Sequence, residues 1–204
     1  MTYLIADVLF EIFKDIFEDN SEEKDSGPIK LYPCLFVCWE WCCIATHLIW
    51  AYPFILGECS LIGTYLQCLD EKEKQTLSDV GIQVPYGRPT FQYAAFLRCI
   101  DFEKVSTLSA KFLRTTNRGK KRSLLEGESR AVLRGLFRLF ATQSLNLHHA
   151  IIRENFVRQD LCNILFEPGV SSIGTRITKA KVSIGLIQRK FLLQLGEKWN
   201  NIVS

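Results

Sequence analysis

Residues 31–54 read LYPCLFVCWEWCCIATHLIWAYPF, and Glu40 is the only formal charge among them. A stretch this apolar is either a membrane span or a buried helical core. Pro33 and Pro53 interrupt it, and the uncharged run from Glu40 to Pro53 is shorter than the ~20 residues that cross a bilayer as a helix. The core reading therefore stands, as a pair of short helices. Pro33 suits the first turn of one, where its missing N–H would be unpaired anyway. A second begins near Glu40. Trp39, Trp41 and Trp50 lie close together, and aromatic groups of that size dominate local energetics once buried. Trp41 and Trp50 are therefore expected to be mostly buried and structural.

Upstream, MTYLIADVLFEIFKDIFEDN carries Asp7, Glu11, Lys14, Asp15 and Glu18 on one helical stripe. The rest of that circumference holds Leu4, Ile5, Val8, Leu9, Phe10, Ile12, Phe13, Ile16 and Phe17. This exceeds what one small packing face consumes, so part of it should meet a partner. The segment has no basic n-region and acids interrupt its apolar run, which excludes a signal peptide and sets the expectation of an intracellular, cytoplasmic or nuclear, location. Residues 18–28, EDNSEEKDSGP, set five acids against Lys24 and end in Gly-Pro, the composition of a mobile loop.

Downstream, the pattern predicts a helix over 60–69, a solvated helix end or start at DEKEKQ, and a loop from Gly81 through Pro89. Thr90 is expected to cap a further helix through Phe96 to about Cys99. Residues 111–122 read as a basic turn. Over 128–143, Val132, Leu133, Leu136, Phe137 and Phe140 make a buried face, with Arg130, Arg134 and Arg138 opposite. LHHAIIREN fits a short strand or a helical turn, Pro168-Gly169 a turn, and 182–195 a last helix. No repeat of fixed period is present.

Eight cysteines, at 34, 38, 42, 43, 59, 68, 99 and 162, invite a zinc or disulfide reading. Cys34, Cys38 and Cys42 recur every fourth residue, a helical stripe, whereas zinc knuckles need close ligand pairs across a tight turn. Without secretory context disulfides are disfavoured too. Small apolar core residues are the plainer account, and neither a metal site nor a cofactor is expected. G-x-x-x-x-G-K-[ST], H-E-x-x-H and G-x-S-x-G are absent from the sequence, and His148-His149 has no acid at ligand spacing.

The 204 residues are 48% hydrophobic and 23% charged, a globular composition for one domain or two small ones. Charge is divided unevenly. Residues 1–100 hold 7 basic and 14 acidic side chains, residues 101–204 hold 18 and 8, so net charges of −7 and +10 point the halves at different partners.

The first helix, the loop and the tryptophan-rich pair together resemble an F-box, the helical module of SCF ubiquitin ligases that docks a Skp-type adaptor. Leu4, Asp7, Leu9, Glu11, Ile12 and Phe13 match its opening, with Ile5 where proline is usual, as in fungal-type members. Cys34, Leu35, Val37, Trp41, Cys42, Ile44, Ala45, Trp50, Pro53 and Phe54 match its second half without a gap. The segments TYLQCLDEKEKQTL and GRPTFQYAAFLRCIDF are similar to the region C-terminal to the F-box in a group of fungal proteins. A leucine-rich region often comes next there, and LFRLFATQSLNLHH and LFEPGV carry hints of it.

The resemblance implies a mainly α fold: a three-helix F-box over 1–55, a helical segment over 56–110, and a basic, mostly helical substrate-binding region over 111–204 in which a few short strands are allowed. It implies a non-catalytic subunit that reaches a cullin through its adaptor and presents a protein substrate. Leu4, Leu9, Ile12, Phe13, Leu35 and Val37 are then the adaptor-binding face. Trp41, Ile44, Trp50 and Pro53 hold the module together, and Arg130, Arg134 and Arg138 are candidates for substrate binding. Nucleic acid is the second reading, since eight basic and two acidic residues lie between Arg114 and Arg138. Aromatic residues that could stack on bases are scarce among those charges, which disfavours it.

Overall fold

Phe13 is 1% exposed and stands at the centre of the core of the first 56 residues. The computed structural model describes residues 2–18, 27–116, 122–153, 155–156 and 161–183, with side chains for 6–18, 29–116, 126–153, 155–156 and 163–183. The chain is mainly helical and divides into two compact units, Met1–Leu56 and Gly57–Ser204.

In the first unit, α1 (Thr2–Glu18) turns Leu9, Phe10, Phe13, Ile16 and Phe17 to one side at helical spacing. That side packs on Leu31 at the end of α2 (Gly27–Leu31) and on Ala45, Leu48 and Ile49 of α3 (Trp39–Ile49). A 3-10 turn, Tyr32–Phe36, opens with Pro33. Cys38 then adopts an extended backbone (φ −160°, ψ 171°), breaking the helical path before α3 starts. Cys34, Cys38 and Cys42, which recur every fourth residue, are therefore divided among a 3-10 turn, an extended cap residue and α3.

The second unit begins with α4 (Ser60–Gln67) and α5 (Glu71–Asp79). Asp70 caps α5 by accepting the Glu73 N–H at 2.8 Å, which explains why the charged DEKEKQ run starts a helix. Next come a 3-10 turn (Tyr93–Phe96), β1 (Cys99–Asp101), α6 (Phe102–Thr116) and α7 (Arg122–Gln143). Beyond them lie β2 (His149–Arg153), a 3-10 turn (Leu161–Phe166), α8 (Ser172–Arg176) and β3 (Lys179–Ser183). The strands form a parallel sheet in sequence order, with Cys99 beside His149 and His149 beside Lys179.

Alternation along these strands sends Ile100, Ala150 and Ile152 into the core, all fully buried. The core below is a chain of aromatic rings. Phe102 meets Phe137 edge-on at 5.4 Å and Phe156 at 5.5 Å, and Tyr65 meets Phe140 edge-on at 5.0 Å. Asp101 ties the layers together although it is 4% exposed. Its Oδ1 accepts the Lys104 N–H at 3.1 Å at the start of α6, and its Oδ2 accepts from Arg153 of β2 at 3.1 Å.

Several local expectations change. In place of a helix capped by Thr90, a short 3-10 turn leads into β1, where Cys99 begins the sheet. The turn expected at 111–122 is helical through Thr116 and again from Arg122, with 117–121 outside the described residues. Consequently α6 runs across the boundary expected at 110, and α7 begins well before residue 128. Val182 of the expected last helix belongs to β3; residues 184–195 lie outside the described residues, as does most of the acidic segment, 19–26. LHHAIIREN resolves as strand because His149 to Arg153 finds partners on both sides.

Replacing Phe13 with alanine should cost about 3–5 kcal/mol, as large core truncations do. Val8→Ala, on an exposed position of the same helix, should stay within roughly 0.5 kcal/mol. Urea unfolding followed by tryptophan fluorescence separates the two; equal losses would contradict this packing.

Candidate functional site

The first unit leaves a set of large apolar side chains in solvent. Val8 is 54% exposed and Ile12 47% on α1; Phe36, Val37 and Trp39 are 85%, 58% and 64% exposed at the corner between the 3-10 turn and α3. On α1, Val8 and Ile12 are one turn apart and lie beside the core-facing side. Ile29 and Tyr32 are exposed as well. Burying a Phe- or Val-sized group is worth about 1.5–3 kcal/mol, and the exposed run from Phe36 to Trp39 leaves that much apolar area in water at each such side chain.

The residues expected to form the adaptor face divide by burial. Ile12 and Val37 are exposed. Leu9 and Leu35 are half-buried and packed against the core. Phe13 is fully inside and faces no partner, because α1 packs it against Leu31 and α3. Leu4 belongs to α1, and its side chain lies outside those described. Trp41 and Trp50 keep a minor part of their surface exposed and pack against the core from its flank. Trp41 meets Phe13 edge-on at 5.0 Å. Ile44 is half-buried on the same cluster, and Pro53 is buried in the 3-10 turn after α3. The sequence pattern does not mark Phe36 and groups Trp39 with the other two tryptophans, because an apolar run gives no sign of where the chain turns outward.

In the second unit, α7 buries Val132, Leu133, Leu136, Phe137 and Phe140 completely and leaves Arg130, Arg134 and Arg138 on its outer side. These arginines do not form an open cationic stripe. Arg134 is held by Glu167, 33 residues away, with Nε 2.8 Å and Nη2 2.7 Å from Oε1. The hydrogen bond to Glu167 raises the Arg134 pKa further. Arg138 lies near Glu73 and favours its ionised form, although burial outweighs this and raises the Glu73 carboxyl overall. One of the three charges, that of Arg134, is thus already paired within this chain.

The outer face of the sheet differs. Cys99, His149 and Lys179 stand in one row, and Asp101, Ile151 and Lys181 in the next. At β1 the face is closed, with Asp101 buried under Arg153, which also reaches Glu103 at 3.5 Å. Toward β3 it opens, and Lys179 and Lys181 are exposed. Burial, then His148, Lys179 and Lys181, pushes the His149 pKa below its usual 6.5.

Elsewhere the chemistry is quiet. Burial first, and the Asp101 charge second, push the Cys99 thiol up to about 11. Burial likewise raises Cys34, Cys43 and Cys68. These thiols are neutral at physiological pH and behave as packing groups, since the thiolate is the nucleophile and the metal ligand. Among the described residues no three His, Cys, Asp or Glu side chains gather to hold a metal ion. No described helix is long and apolar enough to cross a membrane. An open cleft beside α5 is lined by groups of both signs, Glu71, Lys74 and Arg88 among them. No protein-family model, curated protein or solved structure matches this chain.

A double-mutant cycle on Arg134 and Glu167 should give a coupling below about 1 kcal/mol, as for other exposed pairs; a larger value would mean the pair is effectively buried. His149 binds its proton less readily when folded. Its contribution to stability is therefore fully present above pH 6.5 and is lost as pH falls through the lower folded value. His149→Gln should flatten that acid limb in denaturation curves measured across pH. An unchanged slope would contradict the cationic surroundings assigned to it.

Proposed function

We propose that this chain is the non-catalytic substrate-recognition subunit of an SCF-type ubiquitin ligase. Residues 1–55 dock a Skp-type adaptor and, through it, a cullin, while the second unit recruits a protein substrate. Such a subunit works in the cytoplasm or nucleus and contributes proximity, holding a target where a charged conjugating enzyme can reach its lysines. The observation that carries the reading is the exposed apolar surface of the first unit, at Val8, Ile12, Phe36, Val37 and Trp39. It coincides with the segment whose residues match the F-box pattern. A helical module whose apolar groups exceed its own core is what docking onto partner helices requires.

The second unit adds support of a different kind. Its strands stack in parallel and in sequence order, with helices on each return. Such a plan is shared by strand-plus-helix repeats such as leucine-rich ones, whose units run about 20–29 residues. Register positions Cys99, His149 and Lys179 are 50 and 30 residues apart, the longer step holding the two helices α6 and α7. In this reading the second unit is a divergent leucine-rich region.

Pull-down of the full chain by a purified Skp-type adaptor tests the assignment. Ile12→Ser combined with Val37→Ser should weaken binding at least tenfold while leaving the fold unchanged, because centrally placed apolar residues are worth on the order of 1–4 kcal/mol each. Absence of binding by the unmodified chain, or undiminished binding by the folded double variant, would sink the proposal.

A further inference from the structure

From the outer face of the parallel sheet we infer a docking surface for an acidic, extended segment of a protein partner, seated over β2 and β3. This inference takes its partner class from the substrate-recognition reading above, but its evidence is separate. Register places Lys179 directly beside His149 and Lys181 directly beside Ile151, all four on the side opposite the buried Ile100, Ala150 and Ile152. Lys179 and Lys181 are exposed, and no acidic partner of either is found among the described residues. His148 precedes this row, with its Nδ1 2.8 Å from the Asn146 carbonyl oxygen. Positive charge thus collects at one end of the face without an acidic answer among the described residues. That contrasts with α7, where Arg134 is tied to Glu167.

Charge complementarity selects the occupant. Alternate residues of a strand are about 6.6 Å apart, so Lys179 and Lys181 offer two cations at the spacing of alternate side chains in an extended peptide. Ile151 lies between Lys181 and Asp101 in its row, giving a neutral contact beside the cations. At the far end Asp101 and Glu103 share Arg153, which leaves that end net acidic. A phosphate backbone broad enough to reach across the sheet would be attracted at β3 and repelled at β1, and apart from the His149 imidazole the paired strand positions on this face carry no aromatic ring on which bases could stack. A short acidic segment that follows β3, with alternate side chains on Lys179 and Lys181, meets the cations and stays clear of β1.

Fluorescence anisotropy on the full chain tests this, with a labelled peptide of alternating glutamate and serine as the probe. The wild type should bind it, more weakly as salt is raised. Lys179→Glu with Lys181→Glu should reduce affinity at least roughly tenfold, since two attractions become two repulsions. Lys179→Gln with Lys181→Gln should give an intermediate loss, which guards against misfolding of the reversed variant. Arg130→Glu with Arg138→Glu should leave affinity within about twofold. Equal affinity in wild type and both lysine variants overturns the inference, as does a larger loss from the α7 reversal, or tighter binding of an oligothymidylate with the same lysine dependence. Adaptor pull-down of the lysine variants separates the two proposals. Peptide binding without any adaptor binding removes only the ligase reading, and adaptor binding without peptide binding removes only this one.

Discussion

Parallel pairing governs the second unit. Two parallel neighbours cannot be joined by a tight turn, because the chain must return to the same end of the sheet before the next strand begins. Between β1 and β2 that return is made by α6 and α7, and between β2 and β3 by a 3-10 turn and α8. Helices on the return bury the side of the sheet that they cross. The buried side therefore receives Ile100, Ala150 and Ile152, and the polar residues of the same strands are left on the other. One topological constraint thus creates both the aromatic core and the open face.

Asp101 shows how closely those consequences are linked. A buried carboxylate is costly unless it is hydrogen-bonded and paired. Here one oxygen caps α6 and the other takes Arg153 from the neighbouring strand. The same contact that starts the crossover helix closes the β1 end of the outer face and neutralises Arg153, and among the described strand residues Lys179 and Lys181 carry the positive charge at the β3 end. In the first unit the governing choice is similar in kind. Phe13 is drawn into the core by Leu31 and α3, and with that side of α1 committed, Val8 and Ile12 are left outside it.

The two units consequently offer surfaces of opposite character, apolar in the first and cationic in the second. Apolar surface favours a durable contact, while an open charged face favours fast and selective encounter that depends on salt.

Much of the architecture was legible from residue pattern. The amphipathic α1, the Pro33 turn, the 60–69 helix and the buried stripe of α7 all arise from helical period and proline geometry, which act within a few residues. Exclusion of a membrane-spanning helix at 31–54 rests on the same local arithmetic. What the sequence could not decide was anything that depends on which distant segments meet. Whether 149–153 is strand or helix depends on finding β1 and β3, since a strand is completed by partners outside itself. That Arg134 is answered by Glu167 depends on a contact across 33 residues. Phe13 and Ile12 are adjacent apolar residues of one helix, and only tertiary packing buries the first and exposes the second. Hydrophobicity is a property of the residue; which side of a helix becomes interior is settled by the elements that close over it.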